Sequence, residues 1–204
     1  MKEFLKKYWE NLGISNEVIK AFLEVPREEF LLQKYKKIAY EDIALPSFKG
    51  QTISQPTTIA IMLNALELKK GETILEIGTG TGYNATLIAK IIGSKGKVYT
   101  TEIVKELVGF AKKNLKRVKI KNVEVIYTTE LGIEGKKFDK IIVTAACSEI
   151  PENLLKQLKK RGIMVVPVGP RFGQKMLKIK KNKKLEIKDL GAFVFVPLIG
   201  KHGY

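Results

Sequence analysis

Apolar positions change their spacing twice along the chain. Up to about residue 70 they recur at helical intervals in short stretches: Val18, Ile19, Phe22 and Leu23, then Ile59, Met62, Leu63 and Leu66. The first stretch predicts an amphipathic helix capped by Ser15 or Asn16 and stopped at Pro26; the second predicts one that begins after Pro56 and closes near Gly71. From Thr73 the apolar residues gather into runs of five to seven, TILEIG, KVYTTE, VEVIY, FDKIIVT and GIMVVPV. Amphipathic helical stretches fall between them at about 83–92, 104–118 and 151–160. Such alternation predicts crossover connections and a parallel sheet with helices on both faces. Then it stops. KMLKIKK and KLEIKDL flank a polar turn at Asn182 and predict an antiparallel hairpin, and FVFVPLI follows as a last strand whose Pro197 suits an edge or a bulge.

These patterns predict one α/β domain with a doubly wound, mostly parallel seven-stranded sheet. A helical N-terminal extension would occupy residues 1–70, the α/β core 71–169 and the C-terminal antiparallel strands 170–204. With 204 residues the chain can bury one sizeable core, and 45% hydrophobic with 28% charged residues is ordinary globular usage. No apolar run reaches the roughly 18 to 20 residues of a membrane span, and charges interrupt any signal core in MKEFLKKYWENLG, so a cytoplasmic protein is expected. A single cysteine, Cys147, and a single histidine, His202, leave neither an internal disulfide nor a nitrogen/sulfur ligand set for structural zinc. The net charge of +16 favours contact with polyanions. Its lysines, however, spread along a predicted helix in KELVGFAKKNLKRVKIK and across a turn in IKKNKKLEI, without interleaved aromatics to stack bases. Solvated faces are therefore favoured over a nucleic-acid footprint. Abundant Lys, Glu and Ile with scarce Gln is a composition often seen in proteins from hot environments.

Candidate chemistry begins where the first strand of the core meets Glu76-Ile77-Gly78-Thr79-Gly80-Thr81-Gly82. Glycines at alternate positions allow a tight turn and close approach of backbone to a ligand, and the helix that follows offers free N–H groups. A dinucleotide fingerprint would place its third glycine one residue later, where Tyr83 stands, and no phosphate-loop Gly-Lys-Ser or Gly-Lys-Thr is present. The E-x-G-x-G-x-G pattern resembles instead the first motif of S-adenosylmethionine-dependent methyltransferases with a Rossmann-like fold. A carboxylate ending the next strand could take both ribose hydroxyls, and Glu102 ends KVYTTE about 20 residues beyond Gly82.

Methyl transfer from a sulfonium is an in-line displacement, so the acceptor decides what else the site needs. An amine or hydroxyl acceptor calls for a base; a carboxylate is already ionised at neutral pH. Gly50-Gln51-Thr52-Ile53-Ser54-Gln55-Pro56 offers neutral hydroxyls and amides, which suits a carboxylate. That segment, with VPREEFLLQKYKKIAYEDIALP, ILEIGTGTGYNATLIA, FDKIIVTAA, IPENLLKQLKKRGIMVVPVG and FVFVPLIG in the same order, closely resembles the protein-L-isoaspartate O-methyltransferases over nearly the whole chain. The resemblance implies transfer of a methyl group from S-adenosylmethionine to the free α-carboxylate of isoaspartyl residues in aged proteins and peptides, with S-adenosylhomocysteine as product. The resulting ester collapses to a succinimide that opens partly to normal aspartate. The resemblance further implies that Ser54 is the catalytic residue near the acceptor carboxylate. Thr52, Gln55 and the backbone at Val196, Pro197 and Leu198 would shape the peptide cleft, and Glu76, Gly78, Thr79, Gly80, Gly82 and Glu102 would hold the cofactor.

The chain departs from this family in one place. Where the family usually has Gly-Asp-Gly after the third parallel strand, with the aspartate on adenine, this chain reads VIYTTELGI, leaving Thr129, Glu130 or a backbone group for that contact. Two other readings stay open at this level. One is an RNA methyltransferase of the same fold, favoured by the charge and by Cys147 after FDKIIVTAA, although neither a Pro-Cys nor an Asn-Pro-Pro-Tyr signature is present. The other is a cofactor-binding module that has lost its chemistry, against which Ser54 stands. Cys147 is read as a small apolar residue and His202 as solvent-facing.

Overall fold

The computed structural model describes residues 2–200 and 203. Helices α1 (Lys2–Asn11) and α2 (Asn16–Glu24) lead through short 3-10 turns to a two-stranded hairpin, β1 (Leu45–Pro46) against β2 (Thr52–Ile53), and to α3 (Pro56–Leu66). The core then alternates: β3 (Thr73–Ile77), α4 (Tyr83–Ile92), β4 (Lys97–Glu102), α5 (Lys105–Arg117), β5 (Val123–Tyr127), β6 (Phe138–Val143), α6 (Glu152–Gln157) and β7 (Leu158–Val168). Strands β8 (Gln174–Lys181) and β9 (Leu185–Phe193) close the chain. Among the described residues no helix is long and apolar enough to cross a membrane.

Seven strands form one sheet in the order β5-β4-β3-β6-β7-β8-β9; the first five are mutually parallel, and β8 and β9 are antiparallel additions. This is the predicted mostly parallel sheet with its terminal hairpin. Because side chains alternate across a strand, the continuous apolar runs feed two cores. Ile74, Val98, Ile142, Ile163 and Val165 pack under α1 to α4, while Leu75, Ile141, Val143, Met164 and Val166 face the other way, toward Leu154 of α6 and Leu158. A smaller cluster seats Val108, Ala111 and Leu115 of α5 on Val125 of β5.

Several local expectations change. FVFVPLI is not a strand: β9 ends at Phe193, and residues 194–199 cross the sheet's rim, tied by Ala146 N to Val196 O at 2.8 Å and Leu198 N to Ala146 O at 2.9 Å. Pro197 has no N–H to give a ladder, and the segment's backbone bonds go instead to Ala146, just past β6. Helix α6 stops at Gln157 rather than near Lys160, because Leu158 already pairs with Phe138 as the start of β7. Helix α3 ends at Leu66, with Glu67 in the left-handed region (φ 53°), before Gly71. Ser15 stands at the N-terminus of α2, but its hydroxyl makes no capping bond; its N–H donates instead to Asn64 Oδ1 at 2.9 Å, joining α2 to α3.

Candidate active site

The winding direction of the sheet reverses beside β3, whose neighbours are β4 and β6. At such a switch point the connections leave in opposite directions, so a crevice opens beyond the carboxyl ends of the two central strands. The glycine turn fills one wall of this cleft. Gly78, Gly80 and Gly82 all have positive φ (92°, 53° and 83°), a conformation that side chains with a Cβ adopt at a cost. Their surroundings differ. A Cβ on Gly78 would stand 2.4 Å from Thr144 Oγ1, and that hydroxyl, just past β6, lies 2.9 Å from the carbonyl oxygens of both Ile77 and Gly78. Gly80 faces open space, while Gly82 faces Ala111 and Leu115 of α5 at 3.5 to 3.6 Å and does not line the cleft. Thus Gly78 lets Thr144 brace the turn, Gly80 leaves room for a ligand, and Gly82 lets two helices pack.

Glu102 reaches back to this turn from the end of β4. Its Oε2 accepts the Gly80 N–H at 2.9 Å, and its Oε1 accepts those of Ile103 at 2.9 Å and Val104 at 3.0 Å. The carboxylate thereby joins the glycine turn to the start of α5 and still lines the cleft. Glu76, in contrast, lies fully buried behind the wall. It accepts hydrogen bonds from Asn84 Nδ2 at 2.7 Å and Thr100 Oγ1 at 2.5 Å, and Thr100 in turn meets the Thr79 hydroxyl at 2.7 Å. Burial pushes its pKa up to about 7, against those two donors, and the charge of Glu102 pushes the same way. Of the residues expected to hold the cofactor, Glu76 and Gly82 therefore do not line the cleft: Glu76 is bonded to Asn84 and Thr100 behind the turn, and Gly82 packs against α5.

The opposite wall carries the segment expected to meet the acceptor. The β1–β2 hairpin delivers Thr52, Ser54 and Gln55 to the cleft, and Pro56, which has no N–H to leave unsatisfied, opens α3. Among the described residues no hydrogen bond engages the Ser54 hydroxyl. Val196, Pro197 and Leu198 line the same half through the rim segment, and Thr129 and Glu130 lie exposed at the other end, just past β5. Among the described lining residues the only ionisable acids or bases that could hold a charge at neutral pH are Glu102 and Glu130. Among the described residues the acceptor half therefore holds hydroxyls, amides and apolar groups, with no lysine, arginine, histidine or cysteine. Cys147 is buried outside the wall, and burial pushes its thiol up to about 12, so it is no thiolate nucleophile at neutral pH. His202 lies outside the described residues.

Three residues at or behind the site escaped prediction. Thr144 is the first residue after an apolar run, and its brace depends on β6 neighbouring β3. Asn84 sits one helical residue past the turn, and Asp42 lies in an irregular segment 13 residues before Gln55, to which it is hydrogen-bonded. No spacing rule marks any of them.

Open space over Gly80, a carboxylate beside it and a second acid past β5 suit a nucleoside attached to a cation. The fold and this site define a Rossmann-like methyltransferase of the S-adenosylmethionine-dependent class. Residues 2–203 match the family model for protein-L-isoaspartate(D-aspartate) O-methyltransferase. The protein-L-isoaspartate O-methyltransferase of Pyrococcus horikoshii is 47% identical over 199 residues, covering 93% of this chain and 88% of that one. A solved protein-L-isoaspartate O-methyltransferase superposes with a TM-score of 0.89 at 35% identity, over 100% of this chain and 67% of that one. A second structure, from Plasmodium falciparum and described as such an enzyme in complex with S-adenosyl-L-homocysteine, gives 0.82 at 28% identity over 94% and 95%. The chain belongs to the protein-L-isoaspartate(D-aspartate) O-methyltransferase family.

Proposed function

We propose that the protein transfers the methyl group of S-adenosylmethionine to the free α-carboxylate of L-isoaspartyl residues in damaged proteins and peptides, as a repair enzyme of the cytoplasm. The observation that carries this reading is the uncharged acceptor wall facing a cofactor wall that bears carboxylates. Bound S-adenosylmethionine supplies an electrophilic methyl carbon on a sulfonium and leaves as S-adenosylhomocysteine. The new bond joins a carboxylate oxygen to that methyl carbon as the carbon–sulfur bond breaks, with its electron pair kept by sulfur. No proton moves, which fits an acceptor wall whose described residues include no base.

The work left to this chain is alignment and exclusion of water. The Ser54 hydroxyl is free to donate to the acceptor carboxylate, Thr52 and Gln55 flank it, and Ile59 and Met62 of α3 give the cleft apolar surface. The rim segment at Val196 to Leu198 offers backbone groups to an extended peptide. On the other wall, Gly78, Thr79, Gly80 and Glu102 would hold the methionine and ribose parts of the cofactor, and Thr129 or Glu130 the adenine.

The test is a pair of peptides that differ only in an isoaspartyl or an aspartyl residue. With methyl-labelled S-adenosylmethionine, label should enter the isoaspartyl peptide alone and be released by alkali, as an ester is. Equal labelling of the two peptides, or alkali-stable label, would sink the assignment; label on RNA would point to a different methyltransferase.

A further inference from the structure

Among the described residues the hydrogen bonds of the Asp42 carboxylate go to Gln55 and Thr57, at the end of the acceptor segment and the start of α3. Its Oδ1 accepts the Thr57 N–H at 2.8 Å, and its Oδ2 accepts the Thr57 hydroxyl at 2.7 Å and Gln55 Nε2 at 3.1 Å. The Thr57 oxygen is itself the acceptor for Trp9 Nε1 at 2.8 Å, so its own proton is directed to Asp42. On the far side of the Gln55 amide, Oε1 accepts the Thr58 hydroxyl at 3.2 Å.

This arrangement decides which way round the Gln55 amide lies. A glutamine amide has a donor end and an acceptor end of nearly the same shape, so only its partners choose between them. A hydroxyl such as Thr58 can meet either end, whereas an ionised carboxylate only accepts. Asp42 therefore holds the N–H end toward itself. Nε2 carries two hydrogens and Asp42 uses one, leaving the second for a ligand in the cleft that Gln55 lines. The negative charge of Asp42 is within electrostatic reach of the buried Arg27 guanidinium, which lies beside Tyr83 and partly offsets that charge.

We infer that Asp42 is a positioning residue that selects an anionic acceptor by making Gln55 present an N–H, and not a carbonyl, to the acceptor carboxylate. This rests on the isoaspartyl reading of the site and adds the source of its preference for a charged group over an amide or the ester product. With the amide reversed, a carbonyl oxygen would face a carboxylate and the two would repel.

The experiment uses the full chain, isoaspartyl peptide kinetics and titration with S-adenosylhomocysteine. In Asp42→Asn the new carboxamide N–H can be met by reversing Gln55. KM for the isoaspartyl peptide should rise roughly 10- to 100-fold, the range for losing a hydrogen bond to a charged group, by more than kcat falls, with affinity for S-adenosylhomocysteine kept. The double variant Asp42→Asn, Gln55→Glu restores a donor–acceptor pair between the two side chains but aims a carboxylate at the cleft, so KM should stay raised. A purely structural contact would be rescued by that double variant, and a wild-type KM there overturns the inference, as does a KM for Asp42→Asn within roughly twofold of wild type. If Asp42→Asn fails to fold, Gln55→Met tests the same point: it keeps the length and removes the amide, and an unchanged KM would refute the role. Wild-type protein that labels no isoaspartyl peptide overturns the parent reading; active wild type with an unaffected Asp42→Asn KM overturns this inference alone.

Discussion

Replacing Glu102 by alanine separates its two tasks. An ionised carboxylate has about four acceptor positions, and three here are taken by the N–H groups of Gly80, Ile103 and Val104. Both bonds from the start of α5 fall on Oε1, so the open position is on Oε2. A ribose diol thus gains about one uncontested charge-assisted hydrogen bond, worth about 1.5 to 3 kcal/mol. At 1.4 kcal/mol per tenfold, Glu102→Ala should weaken S-adenosylhomocysteine binding by roughly 10- to 150-fold. Removing an acceptor from two N–H groups at a helix start costs about 1 kcal/mol of stability, a size typical of losing a cap. Calorimetric titration with S-adenosylhomocysteine and a urea melt of the same sample measure the two quantities. An unchanged dissociation constant would refute the ribose contact. A stability loss of several kcal/mol with unfolding of the site would instead make Glu102 chiefly a strut for the glycine turn.

Three further outcomes follow from the same geometry. Ser54→Ala should lower kcat on the isoaspartyl peptide by roughly 10- to 100-fold while leaving S-adenosylhomocysteine affinity near wild type; a titration showing mainly weaker cofactor binding would assign the hydroxyl to the other wall. Glu76 has its folded pKa raised from 4.5 to about 7, so the native state keeps a proton that the unfolded chain releases. Its contribution to stability is full below about pH 4.5 and is lost as pH rises to about 7, by about 3 kcal/mol at most. Glu76→Gln removes that loss, so urea midpoints across this range should move in favour of the variant as pH rises, and a pH-independent gap would be fatal. Tyr83→Phe deletes a buried hydroxyl that lies in the field of the Arg27 guanidinium but among the described residues has no hydrogen-bond partner of good geometry, and should leave stability equal or up by about 1 kcal/mol. A drop of more than about 1 kcal/mol in the same melt would mean that the hydroxyl is satisfied after all.

A run such as FDKIIVT is apolar on both faces, and a strand buried on both faces in a parallel sheet must be so; the pattern therefore carries its environment with it. The glycine turn was legible for a similar reason, since positive φ is a property of the residue type. Glu102 was legible because a charge that ends an apolar strand needs partners, and it has three. Misreadings fall where direction or competition matters. FVFVPLI has the composition of a strand, but Pro197 cannot donate and the backbone at Val196 and Leu198 is bonded to Ala146 past β6.

What the chain determines by itself is the order of its elements, the parallel core, the turn that approaches a ligand and an uncharged segment suited to a carboxylate. All of these reside in backbone preference and periodicity, which act over a few residues. Tertiary structure alone decided that Gly82 faces a helix, that Glu76 works from behind the wall, that Thr144 braces Gly78, and that Asp42 turns the Gln55 amide. Those depend on which strand lies beside which and on which end of a side chain meets a partner far along the chain. Hydrogen bonds and close contacts are made over a few ångströms in space, and only the folded chain brings residues so distant in sequence within that range.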